Sequence, residues 1–534
     1  MRLLLALQRY PTACALLSGV LLVLCFPRPQ LTLLAWVALT PLLVATFRPA
    51  PRTRLFFYGY LAGGVFFAGT CSWIYNVIRI YGHLSALAAG SILLLFVLVQ
   101  ALYFGLFSLI TGELARRWQL LGLFLSPFVW VALEWARSYV PFGGFPWNLL
   151  GYAVAPHIGW IQPAAYTGIY GVSFLVAGVN ALVAGFWLVP SRRGAVSLGV
   201  VALVLAGLAI WGRQLPPVPT TATALLVQTN LPQQEEFDPR WVEHHPEELR
   251  PLEQLTREAV RALAPANPAL VVWPEVPVSF YFHHDPVIRA RLLRLAQATR
   301  SYFLVGVVDY RRDRPAEAGT GGVLHPYNSA VLLSPAGELV AQYDKIHLVP
   351  FGEYLPLADW LGFLEKLVPE VSDFRPGRER VVMPTPQGGL AIIICYEAVY
   401  PGLVRQFVER GADVLVNISN DGWFGRSAAP AQHLNMARVR AVETRRFLLR
   451  ATNTGITAVV DPFGRVVARA PTHTRTVLAA GFGPRRRVSF YVRTGDWLAA
   501  LCALVVAAAL ARKFWVDAVE GTGNEDNRGT GKGI

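Results

Sequence analysis

Residues 390–401 read LAIIICYEAVYP. Five apolar residues lead into Cys395, an acid follows at Glu397, and a Tyr-Pro turn closes the stretch. A short run rich in β-branched residues and bounded by a turn predicts a buried strand over 390–395. Cys395 stands at the carboxyl end of that strand, and in open α/β sheets this is the end where ligands bind.

Working outward, similar runs predict strands at 223–229, 268–273, 302–309, 328–333, 338–343, 412–418 and 455–460. Helical patterns lie between them at 246–264, 285–300, 401–410 and 431–448. Many of the strands are apolar on both faces, which predicts sheets covered by helices: one large α/β domain or two stacked layers of sheet and helix. Two more strands end on a polar group. ALVVWPE ends at Glu275 and VAQYDK runs into Lys345. Taken singly, Glu275 reads equally as a turn cap, Lys345 as a surface lysine and Cys395 as a core cysteine. Taken together they supply a nucleophile, a general base and a fixed cation.

The 534-residue chain is 54% hydrophobic and 15% charged, whereas soluble domains carry about a quarter charged residues. Apolar stretches predict eight membrane spans, at 12–26, 31–47, 55–74, 84–111, 119–136, 159–188, 195–212 and 497–511. The first is read as a retained span, since its exit, FPRPQ, lacks a small-residue cleavage pattern. With a cytoplasmic N-terminus, the inner segments hold Arg2, Arg9, Arg48, Arg52, Arg54, Arg116, Arg117, Arg192, Arg193, Arg512 and Lys513. The outer ones hold Arg28, Arg79, Arg137 and Arg213. This asymmetry orients the protein. The expected organisation is a membrane region over 1–214, an extracytoplasmic catalytic domain over 215–495, a last span over 496–513 and a disordered cytoplasmic tail over 514–534. The net charge of +14 is accounted for by topology. No run alternates basic and aromatic residues, so no nucleic-acid partner is expected. Of five cysteines, Cys14, Cys25, Cys71 and Cys502 lie in or beside apolar spans. Cys395 is alone in the soluble region, where a lone thiol is either buried or reactive. No metal-ligand spacing occurs, and His244–His245 and His283–His284 read as solvated loop pairs.

The triad Glu275, Lys345 and Cys395 resembles that of the nitrilase (carbon–nitrogen hydrolase) superfamily, which implies an α-β-β-α sandwich. The whole chain resembles the apolipoprotein N-acyltransferase family, on GGFPW (143–147), VQTNLPQ (227–233), WPE (273–275), KIHLVPFGEY (345–354), CYE (395–397), NISNDGWFG (417–425), QHLNMARVRAVE (432–443) and TNTGITAV (452–459). The resemblance implies acyl transfer in two halves, without a cofactor or metal. A phospholipid, with phosphatidylethanolamine the expected donor, acylates the cysteine. The thioester then acylates the N-terminal amine of a diacylglyceryl apolipoprotein. It also implies a bacterial inner membrane, a periplasmic catalytic domain and cytoplasmic termini.

In this chemistry Glu275 is the general base and Cys395 the nucleophile. Lys345 and the backbone N–H of Tyr396 face the oxyanion. By resemblance, Glu353 supports Lys345. Glu397 is placed with the substrate-binding residues, and a role in holding the loop behind Cys395 stands beside that. Residues 355–371 carry Trp360 and Phe363 on one apolar helical face, which fits either a lipid-covering arm or an ordinary packing helix. Trp147, on the outer side, fits lipid or lipoprotein contact or interfacial anchoring. Trp241 and Trp423 are further candidates. Three rival readings stay open: a membrane-tethered amide or nitrile hydrolase with the same triad, a transporter with a sensor domain, and a glutamine amidotransferase. Glu134 is the main charge within the spans, which leaves a transport path poorly supported. No synthetase domain is visible for the amidotransferase.

Overall fold

The computed structural model describes residues 9–232, 246–278, 280–312, 324–354 and 374–529. The expectations for Trp241, Trp360, Phe363 and the arm at 355–371 lie outside the described residues.

The strands are β1 Ala222–Gln228, β2 Leu270–Val272, β3 Tyr302–Arg312, β4 Leu324–Leu333, β5 Leu339–Asp344, β6 Val382–Thr385, β7 Gly388–Ile394, β8 Ala412–Ser419, β9 Phe447–Thr452, β10 Ala458–Val460, β11 Val466–Arg469 and β12 Thr476–Phe482. They form two six-stranded sheets, in the orders β12-β1-β2-β3-β4-β5 and β11-β10-β9-β8-β7-β6. Each has a parallel centre: β1, β2 and β3 in one, and β7, β8 and β9 in the other. Antiparallel strands complete both sides.

The pleat explains the layering, because alternate residues face opposite ways. Ala224, Leu226, Leu270, Val272, Leu304 and Leu332 share one core with Ile392, Ile394, Val416 and Leu449 of the other sheet. Leu225, Val227, Val271, Phe303, Val305 and Val331 face the opposite way and pack on Leu249, Leu252, Leu292 and Leu295 of helices Pro246–Ala262 and Pro286–Thr299. Helices Pro401–Glu409 and Ala429–Thr444 cover the second sheet. The order is helix, sheet, sheet, helix, as expected for the sandwich.

Some boundaries differ from the sequence reading. Helix 431–448 ends at Thr444, because Arg445 turns left-handed (φ 57°), and Phe447 already begins β9. The last helix runs Trp497–Gly529, not 496–513, so the segment expected to be disordered is helical to Gly529. An i,i+4 pair of Lys513 Nζ with Asp517 Oδ2 (2.7 Å) supports the turn that follows residue 513.

Among the described residues five helices are long and apolar enough to cross a membrane: Ala86–Trp118, Leu120–Arg137, Ala164–Leu188, Arg192–Gln214 and Trp497–Asp517. Arg52–Thr70 and Trp73–Tyr81 make a sixth if counted as one span bent by 56°. Pro11–Cys25 and Thr32–Thr46 are shorter apolar helices. In helix Ala164–Leu188, Gly168 (φ 64°) breaks the ladder where the ring of Tyr491 leaves no room for a Cβ. The freed N–H of Ile169 donates to Glu443 Oε1 of the α/β domain at 2.8 Å. Burial pushes the Glu443 carboxyl up to about 7, against the pull of Arg440.

Candidate active site

Three strand ends meet between the sheets. Glu275 follows β2 after the buried Trp273 and Pro274. Its loop lies directly on β3, where a Cβ at position 306 would sit 2.7 Å from Glu275 Cα, so only Gly306 fits. The next residue, Val276, is β-branched yet has φ 39°, a genuine outlier. Glu275 Oε2 accepts the N–H of Asn420 (2.8 Å). Its Oε1 accepts from Asn328 Nδ2 (2.9 Å) and Lys345 Nζ (3.3 Å).

Lys345 follows β5 and is 1% exposed. Its Nζ also donates to Glu353 Oε1 at 3.0 Å. Asn328 Nδ2 bonds that same oxygen at 2.7 Å, and Val349 N–H holds Glu353 Oε2 at 2.8 Å. Burial alone would lower the Lys345 pKa, but the carboxylates of Glu353 and Glu275 outweigh it and hold the ammonium charged well above its usual range. The result is a fixed cation between two carboxylates, with one amide bridging both.

Cys395 follows β7 and opens a 3-10 turn, Cys395–Val399. Its φ of 51° lies in the left-handed region, a strained conformation for a residue with a side chain. Burial pushes the thiol up, the Glu275 carboxylate adds to this, and the Lys345 ammonium works against it. Burial and the Glu275 carboxylate together favour the neutral thiol. The Cys395 carbonyl oxygen lies 3.1 Å from His433 Nε2. His433 Nδ1 in turn lies 3.1 Å from both Asp421 Oδ1 and an Arg450 guanidinium nitrogen. Arg450 also bonds Asp421 Oδ2 (2.7 Å) and Asn417. Burial would raise the Asp421 pKa, but Arg450 outweighs it and holds the carboxyl well below the usual carboxylate range.

Of the two readings of Glu397, substrate binding and holding the loop behind Cys395, its contacts favour the second. It has no exposed surface, and its oxygens accept from Tyr343 Oη (2.7 Å), Ile346 N–H (2.7 Å), His347 N–H (3.2 Å) and Ile394 N–H (2.8 Å). It ties the segment after Lys345 to the turn of Cys395. Burial raises it to about 7 despite these donors. Trp147, expected at lipid, lipoprotein or the membrane interface, lies inside the protein. It is fully buried, donates Nε1–H to Gln432 Oε1 (2.8 Å) and stacks near Tyr396 (6.3 Å between centroids) and His433 (5.6 Å). Packing from the catalytic domain removes it from any lipid surface. Gln432 Nε2 reaches the carbonyls of Thr70 (3.0 Å) and Pro27 (3.3 Å) at two helix ends of the membrane region. Trp423 is 36% exposed, edge-on to Tyr81 at 4.7 Å.

Residues 18–182 match the model for the apolipoprotein N-acyltransferase N-terminal domain, and residues 226–484 match carbon-nitrogen hydrolase. An apolipoprotein N-acyltransferase of Geobacter metallireducens is 38% identical over 95% of this chain and 97% of its own length. The chain belongs to the apolipoprotein N-acyltransferase family. Further relatives of that name are those of Azotobacter vinelandii (34% identical, 96% of this chain and 97% of theirs) and Chlorobaculum tepidum (32%, 94% and 96%). This is an acyltransferase family within the carbon–nitrogen hydrolase superfamily, so the tethered-hydrolase reading is not favoured.

The expected triad and Glu353 thus gather in one site of this family member, and Tyr396 follows the thiol directly. Sequence reasoning missed Asn328, Asp421, His433 and Arg450. The one available signal was a set of polar residues inside otherwise apolar elements: Asn328 within β4, Arg450 within β9 and His433 in a fully buried helix turn.

Proposed function

We propose that the protein takes a fatty acyl group from a membrane phospholipid onto Cys395 and delivers it to the N-terminal amine of an S-diacylglyceryl-cysteine apolipoprotein. The supporting observation is a buried thiol beside a fixed carboxylate and a fixed ammonium, at the strand ends on which the membrane region docks through Trp147. In the first half, Glu275 takes the thiol proton as sulfur attacks the ester carbonyl. The Lys345 ammonium and the Tyr396 N–H face the oxyanion, and such a donor is worth about 3–4 kcal/mol. The C–O bond breaks and Glu275 returns the proton to the departing lyso-phospholipid alcohol. In the second half the amine attacks the thioester, Glu275 takes its proton, and the C–S bond breaks to leave an amide and the thiol.

Phosphatidylethanolamine is the donor we expect first. In this reading Trp423, partly exposed beside the site, contacts substrate. The membrane region crosses eight times, with the two short apolar helices and the bent pair added to the five long ones. The arginine asymmetry favours a periplasmic catalytic domain, in a bacterial inner membrane, with both termini cytoplasmic.

The test is an intact mass after incubating the protein with phosphatidylethanolamine and no acceptor. An acyl adduct that hydroxylamine removes, and that Cys395→Ala lacks, is expected. Free fatty acid released steadily without an adduct would instead make the protein a hydrolase.

A further inference from the structure

The Cys395 carbonyl has left the sheet: β7 ends at Ile394, and the left-handed turn points the next carbonyl into buried protein. A carbonyl oxygen only accepts, so the His433 Nε2 that sits 3.1 Å from it must carry the hydrogen. His433 Nδ1 is then free to accept from the Arg450 nitrogen at 3.1 Å. Burial and the nearby guanidinium favour this neutral imidazole and outweigh the Asp421 carboxylate, whose Oδ1 lies 3.1 Å from Nδ1 and pulls towards the imidazolium. The Arg450 charge is matched by Asp421 at 2.7 Å, and Asp421 Oδ1 is further held by the Ser419 hydroxyl at 2.8 Å. All four of these side chains are fully buried or nearly so. The network is neutral overall and ends on one backbone atom of the nucleophile.

We infer that His433 is a positioning residue for the acyl-transfer site: through Nε2–H it holds the Cys395 carbonyl, and with it the strained turn that aims the Tyr396 N–H at the oxyanion. This rests on Cys395 being the acyl carrier. The chain Arg450–His433–Cys395 O sets the peptide plane between strand and turn. Without its donor the carbonyl would be buried and unpaired, and the turn would relax toward the ordinary negative-φ region. The thiol, Glu275 and Lys345 do not depend on that hydrogen bond.

The test separates two reactions of the same sulfur in the full-length protein. Acylation by phosphatidylethanolamine needs the oxyanion donors. Alkylation by iodoacetamide is a displacement with no oxyanion. His433→Phe is expected to slow single-turnover acylation by about 30-fold or more, given that loss of a direct oxyanion donor costs 10²–10³-fold. Alkylation of Cys395, read by peptide mass, should change by less than about threefold, in contrast to that loss. His433→Gln, whose amide can reach the same carbonyl, should recover much of the acylation, and His433→Asn, one methylene shorter, should not. If His433→Phe fails to fold, the Gln and Asn pair carries the comparison. Equal acylation in Gln and Asn variants, or a parallel fall in acylation and alkylation, overturns the inference. Absence of any acyl adduct on the unsubstituted protein would instead sink the acyl-carrier reading on which it rests.

Discussion

At the scale of single residues, burial favours the sulfur as a thiol, while the lysine stays a cation against burial because Glu353 and Glu275 flank it. The thiol is pushed above its ordinary value, first by burial and then by the Glu275 carboxylate. Alkylation of Cys395 by iodoacetamide should therefore climb about tenfold per pH unit from 7 to 9 without levelling, since a free thiol titrates near 8.5. Peptide mass spectrometry over that range checks this, and a plateau below pH 8 would contradict it. Glu275, Lys345 and Cys395 were legible in the sequence because each closes an apolar run. Asn328 and Arg450 were not, because Asn328 stands before its apolar run, Arg450 lies inside one, and each finds its partners across the fold: Glu275 is 53 residues from Asn328, and Asp421 is 29 from Arg450. Trp147 was legible as important and misread in kind. An aromatic next to a membrane interface is equally at home against lipid or against protein, and only its bond to Gln432 decides between them.

At the scale of elements, Glu275, the general base we propose, is placed by a missing side chain on the neighbouring strand. Gly306→Ala puts a methyl 2.7 Å from the Glu275 Cα, the Pro274 oxygen and the Val276 nitrogen. All three are backbone atoms and cannot swing away. Overpacking of this kind costs about 1–3 kcal/mol, so the variant should still fold. Acyl-adduct formation should nevertheless fall by about tenfold or more, because misplacing a reacting group by an ångström costs up to ~10²-fold. Single-turnover acylation beside a denaturation midpoint tests this, and acylation at the original rate would show that the loop tolerates displacement. The parallel central strands were readable as continuous apolar runs. The outer strands were not: β6 and β11 are four residues each, and β12 is partly exposed along most of its length, with little periodic signal.

At the scale of the whole molecule, the membrane region helps build the site rather than merely anchoring it. Gln432 ties two membrane-region helix ends and Trp147 to the same helix turn that carries His433. Trp147→Ala should cost about 3–5 kcal/mol, seen as a lower unfolding midpoint of the whole chain, with slower acylation at every phospholipid concentration. A raised KM for phospholipid with the midpoint unchanged would return Trp147 to a lipid-contact role. Of the eight expected spans, five are single long apolar helices and the rest fall on shorter or bent ones, because apolarity does not report breaks. The left-handed Gly168 and the 56° bend after Thr70 leave no trace in a hydropathy pattern. One feature of the sheets also bears on how the protein is made. β1 pairs with β12, Ala222 opposite Phe482, so the first strand of the catalytic domain waits for the last. Roughly 250 residues separate them, which at ~5–20 residues per second is about 10–50 s of synthesis. During that interval the outer edge of β1 is open to any passing strand. Nascent chains of this protein therefore need that edge sheltered until the last strand has been made.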